Sequence, residues 1–160
     1  MDLTYVIVSW GTDVFKFATN WIQLMTALQL ILSIWCHASP NAPNFIKGLH
    51  HFLFEMIMPG HLLIMTVYWG TLHSPTMEQY AGNYPIIAHK IFCHLAPGVF
   101  SLFNFLISDI VIIHRHSLVL VVFGVIYSCV NYMETKARGT PLYWFLDWKD
   151  MTSVYIFAAM

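Results

Sequence analysis

Thr19, Glu55, His61, His94 and Asn104 are polar or ionisable residues set in apolar stretches, and they are the candidates for chemistry. Burying such groups in a hydrocarbon environment is costly, so each needs a partner or a task. The clearest is His94, in "HLAPG". Pro97 lacks an N–H and frees the carbonyl of Cys93, while Gly98 admits a neighbouring segment, which together make a polar notch. Ser101 falls on roughly the same helical face two turns on, and Asn104 extends that polar side. A neutral imidazole at His94 acts as a general base when a hydroxyl comes within about 3 Å. Thr19 and Thr26 are the threonine hydroxyls of the first apolar stretch, and bonding to their own backbone is the simpler use of both. His89 and Lys90 lie near a helix end and need only solvation and snorkelling.

Glu55 and His61 are six residues apart and point about 120° away from each other on a regular helix. His51, four residues before Glu55, is its more natural partner. Glu55 must face other helices, pair with a base, be protonated or sit at the interface. Its uses are proton handling, orienting a base, or plain hydrogen bonding between helices near the turn distorted by Pro59. His61 either satisfies a carbonyl freed by Pro59 or holds a ligand.

Other chemistries find little support. His61 and His94 could supply two axial haem ligands, but their spacing does not demand a macrocycle, and CxxCH is absent. HExxH, GxSxG, a phosphate-binding loop and a dinucleotide fingerprint are absent too. Cys36, Cys93 and Cys129 are odd in number and form no CxxC pair, so they read as packing residues. No metal site and no cofactor are expected.

The elements that must position these residues follow from composition. The chain has 160 residues, of which 58% are hydrophobic and 9% charged. Its mean hydropathy is +0.64. A soluble globule of that composition would lack polar side chains to cover its surface, so the expected fold is an all-α polytopic membrane bundle. Four stretches are long enough to span, at 14–35, 52–69, 86–108 and 117–133. The connections between the first three, and the stretch after the fourth, are rich in Pro, Gly, Asn or charge and read as surface segments. The last ten residues, "MTSVYIFAAM", are apolar but too few to span, so 141–160 reads as an interfacial segment. Trp10, Trp35, Trp69, Trp144 and Trp148 lie near predicted helix ends, as interfacial anchors do.

With four spans, Lys16, Lys90, Lys136, Arg138 and Lys149 fall toward one side, and Lys47 and Arg115 toward the other. A net charge of -1 with no basic block makes nucleic acid an unsuitable partner. The start, "MDLTYVIVSWGTD", lacks the basic opening of a secretory signal and the Arg and Ser enrichment of a presequence. An organellar inner membrane or an endomembrane both fit.

The segments "FKFATNW", "HLAPGVFSLFNFLI", "YSCVNY" and "GTPLYWFLDWKD", in that order over roughly residues 12 to 150, resemble the androgen-induced and rolling-stone-like family of small multi-span membrane proteins. The androgen-induced branch comprises intramembrane threonine hydrolases that cleave fatty-acid esters of hydroxy fatty acids. The resemblance implies that Thr19 in "KFAT" is the nucleophile and His94 in "HLAP" its base. Beyond what the family supplies, Asn104 and His61 are candidates to bind substrate, and Glu55 to bind it or orient His94. Family members have about six spans, against four here.

Two readings follow. The preferred one is a non-catalytic accessory subunit of a larger membrane assembly, because shortened ends leave lateral surfaces suited to burial against other integral membrane subunits. The alternative is a threonine and histidine lipid-ester hydrolase. Membrane lipids are partners in both, and a haem-holding helix pair ranks third.

Overall fold

The computed structural model describes residues 15–159. Trp10 and the apolar run around it lie outside the described residues. Four long helices, each apolar and long enough to cross a membrane, form an all-helical bundle. They are α1 (Ala18–Ala38), α2 (Asn44–Val67), α4 (Tyr84–Ile107) and α5 (Ser117–Arg138). A π-helical turn, Tyr68–Leu72, joins α2 to the short α3 (His73–Gln79), and α6 (Thr152–Ala159) closes the chain.

The spans run further than apolarity alone suggests. The second begins at Asn44 rather than near Phe52 and continues as one rod to Gln79, 36 residues in all. At 1.5 Å per residue the rod is about 54 Å long, well beyond the roughly 30 Å hydrocarbon core, so "NFIKGLHH" and "GTLHSPTMEQ" are helical without having to lie in lipid. Pro43 suits the start of α2, where no intrahelical N–H is needed. Asn83 caps α4 by accepting from the Ile86 N–H at 3.4 Å, and Pro85 sits in its first turn. The fourth span also extends past Met133, to Arg138, where Gly139 at φ 70° ends it with its N–H on the Thr135 carbonyl. Among the described residues of the segment 141–160, only Thr152–Ala159 is helical.

The helices meet through small residues and polar contacts, as membrane helices do when surrounding lipid weakens the hydrophobic driving force. Gly60 lets α1 approach α2, and a side chain there would run into Ile22. Gly98 brings α4 against the His61 carbonyl and Met65 of α2. Leu32, Leu53 and Ile57 form the buried apolar contact between α1 and α2. Farther along, the ring of Phe54 on α2 lies 6.4 Å from that of Phe105 on α4.

The fourth span joins through aromatic edges and phenols. Trp21 meets Phe123 and Tyr127 edge-on at 5.6 and 5.7 Å. The Tyr127 hydroxyl lies 3.1 Å from the Lys16 carbonyl and 3.3 Å from the Tyr143 hydroxyl. Burial pushes the Tyr143 phenol up, so it stays protonated and available to this network. The segment after α5 packs back the same way, with Trp144 Nε1 donating to the Thr71 carbonyl at 3.4 Å.

Candidate functional site

Where the start of α1, the far half of α2, the start of α4, the face of α5 and the returning terminal segment meet, they line a partly open cavity of about 1320 Å³. Its wall is mostly apolar, interrupted by Thr19, Gln23, Tyr68, Lys90 and His94 among others. Pockets for drug-sized ligands occupy roughly 300–1,000 Å³, so this one suits something larger and chain-like.

The notch expected around Pro97 is present and filled. The carbonyl of Cys93, which Pro97 leaves without an intrahelical donor, accepts from Gln23 Nε2 of α1 at 3.3 Å. That contact carries α1 to α4 one residue from His94, and Thr19 stands one turn before Gln23 on the same face. Thr19 and His94 thereby line one cavity.

His94 is held in a defined state. Its Nδ1 lies 2.7 Å from the Lys90 carbonyl, which can only accept, so Nδ1 carries the proton and Nε2 keeps a lone pair. The ring stacks on Tyr68, centroids 4.1 Å apart and planes 10° apart. Tyr68 is almost fully buried, and its hydroxyl has no hydrogen-bond partner among the described residues. Thr26, Thr66 and Thr71 each donate back to the carbonyl one turn earlier. Among the described residues the Thr19 hydroxyl makes no such bond.

A second threonine and histidine pair sits deeper. Thr26 Oγ1 and His61 Nε2 are 2.8 Å apart, joining α1 to α2. Thr26 has one hydroxyl proton, and it goes to the Ile22 carbonyl at 2.8 Å. His61 must then donate through Nε2–H, so it cannot also take the proton of Thr26. His61 is 3% exposed, and neither residue lines the cavity. His61 is thus used in a clamp between helices, rather than in bonding a carbonyl freed by Pro59 or in contacting a ligand in this cavity.

Glu55 also does something other than orient His94. Its carboxylate accepts from the Ile113 N–H and from His116 Nδ1, both in the stretch between α4 and α5. His51 Nε2 lies 3.4 Å from the same carboxylate, the i, i+4 partner expected on α2. These groups converge because α4 stops at Ile107 and the chain then turns back across α2 through the 3₁₀ turn His114–His116. One ligand atom from each of His51, Glu55 and His116 lies within 4.8 Å of the other two. His51 and Glu55 are visible as an i, i+4 pair in the sequence; His116 is not, because sixty-one positions separate it from Glu55. Asn104 is exposed on α4 outside the cavity lining. Ten residues beyond His94, it lies about 80° round the helix and about 15 Å farther along the axis.

Comparisons with protein-family models, with curated proteins and with solved structures find no match for this chain. The weight of a functional reading rests on the geometry just described. Tyr68 and Gln23 are the cavity residues with no signal in the sequence. One is an aromatic among many and the other a lone amide, and only the approach of α1 and α4 to α2 gives them a role.

Proposed function

We propose that the chain is an intramembrane lipid-ester hydrolase, with Thr19 as nucleophile and His94 as general base, built on a fold like that of the androgen-induced family. The observation that carries this reading is that Thr19 and His94 line one apolar cavity of about 1320 Å³, with the lone pair of His94 on Nε2. In the reaction His94 Nε2 takes the Thr19 hydroxyl proton as Oγ1 attacks the ester carbonyl. The Tyr68 hydroxyl donates to the oxyanion. Collapse of the tetrahedral intermediate breaks the ester C–O bond, and the departing alkoxide takes the proton from His94. Water, deprotonated by His94, then releases the fatty acid and restores Thr19. Gln23 positions the pair by fixing α1 on α4.

The test uses the whole chain in lipid nanodiscs with a palmitate ester of hydroxystearate, the released acids being followed by mass spectrometry. Thr19→Ala and His94→Ala are expected to lower turnover by about 10²-fold or more while keeping wild-type helicity. No turnover by the wild type, or equal turnover by both variants, rejects the reading.

The accessory-subunit reading keeps one observation in its favour. Only 6% and 12% of the apolar windows of α4 and α5 are buried within the chain, leaving wide lateral faces for lipid or for other membrane subunits. It accounts for those faces but not for the polar groups that line the cavity, and so it ranks second.

A further inference from the structure

We propose that His51, Glu55 and His116 form a binding site for a divalent transition ion of the zinc class, which ties the α4–α5 connection to α2. The donor set is two imidazoles and one carboxylate, brought from two elements onto one point. In a tetrahedral zinc site with bonds of roughly 2.0–2.2 Å, neighbouring ligand atoms stand about 3.4 Å apart. His51 Nε2 and Glu55 Oε1 are 3.4 Å apart, and all three donors fall within 4.8 Å, so small side-chain rotations would bring them onto a single ion.

A second observation points the same way. His51 Nε2 is buried and has no hydrogen-bond partner among the described residues, since its approach to Glu55 is not aligned for one. A buried ring nitrogen without a partner is costly, and an ion at the point faced by all three side chains removes that cost. The surroundings are those of a supported ligand set. The Ile113 N–H donates to the Glu55 carboxylate, whose side chain is 3% exposed. The edges of Phe52 and His51 meet the His116 ring at 5.4 and 6.3 Å, fixing its plane.

Nitrogen donors select against Mg²⁺ and Ca²⁺, which take oxygen. Three protein ligands leave a fourth position for water. Glu55 precedes Pro59, the first residue that α2 contributes to the cavity wall, so the ion site stands apart from the hydrolase site and does not depend on it.

The experiment measures metal, not turnover. The full chain, purified in detergent with a histidine-free tag, is equilibrated with Zn²⁺, desalted and assayed for bound zinc, and Co²⁺ is titrated while visible absorption is recorded. One equivalent of zinc is expected in the wild type and in His37→Gln, a control at an exposed histidine. His51→Gln, Glu55→Gln and His116→Gln should each weaken binding at least tenfold. Equal retention by the three variants means scattered surface histidines hold the zinc and overturns the site. The cobalt titration needs no variant: absence of a d–d band saturating at one equivalent overturns the site as well.

Discussion

The imidazole of His94 lies flat on the ring of Tyr68, centroids 4.1 Å apart, on the wall of the cavity that Thr19 also lines. The stack fixes the plane of the base, and the Lys90 carbonyl fixes its tautomer. The two contacts divide the labour: one sets where Nε2 points, the other sets that Nδ1 carries the proton of the neutral ring. Tyr68 also carries a buried hydroxyl that has no hydrogen-bond partner among the described residues.

Tyr68→Phe separates these contributions. The ring, and with it the stack, is retained, while the hydroxyl donor is lost. If the hydroxyl holds the oxyanion, kcat falls by about 10²-fold with KM nearly unchanged. Tyr68→Leu should lower kcat further, since the base then loses its platform. Steady-state kinetics of both variants check this, and an unchanged kcat in Tyr68→Phe removes the hydroxyl from the mechanism.

The two threonine and histidine pairs should respond in opposite ways. Thr26→Val removes the acceptor of the His61 Nε2–H and strands a buried imidazole, costing about 1–3 kcal/mol of stability. Turnover per folded molecule should stay within about twofold of wild type, because Thr26 and His61 do not reach the cavity. Thr19→Val should do the reverse, losing turnover with little change in thermal midpoint. Paired melting curves and esterase rates distinguish the sites.

Close approach of α1 to α2 depends on Gly60. A Cβ there would sit 2.8 Å from Cδ1 of Ile22, a side chain that is 2% exposed and has little room to move. Gly60→Ala is expected to cost about 1–2 kcal/mol by overpacking. Ile22→Val removes the atom that is struck, so the double variant should be less damaged than the sum of the singles, by at least about 0.5 kcal/mol. Thermal unfolding in one detergent measures the cycle, and simple additivity would show that the contact is not the source of the cost.

The membrane class and the number of spans are legible in the sequence because about 20 apolar residues with few charges have few other ways to fold. Their ends are not, because a helix continues past the bilayer wherever caps and propensity permit, as α2 does through His73–Gln79. The notch at Pro97 is also legible, since it follows from one missing N–H; its donor, Gln23, depends on how helices pack. The pairing of His51 with Glu55 follows from helical spacing, whereas the arrival of His116 depends on how the chain turns back after α4. Asn104 is the converse case: its spacing continues the polar side of α4, but ten positions carry it about 15 Å along the axis from His94 and outside the cavity lining.

The strap after α5 offers the last test. Asn131 is fully buried, and its Oδ1 accepts from Trp148 Nε1 at 2.6 Å, while its Nδ2 has no partner among the described residues. Trp148 is held at φ 54°, a conformation that side chains other than Gly, Asn or Asp seldom adopt, and its N–H donates to Ser153 Oγ at 2.9 Å. The indole contact thus offsets backbone strain in a segment whose neighbours Tyr143, Phe145 and Leu146 line the cavity. Trp148→Phe keeps the strain and leaves both ends of the Asn131 amide unsatisfied, which should cost about 1–3 kcal/mol. Trp148→Gly relieves the strain but loses the same bond and the ring packing. If the indole secures the strap, Asn131→Leu combined with Trp148→Phe should recover stability relative to Trp148→Phe alone, because no buried amide is then left without a partner. Melting curves for the three variants decide it, and a double variant less stable than Trp148→Phe would show that the amide is satisfied in some other way.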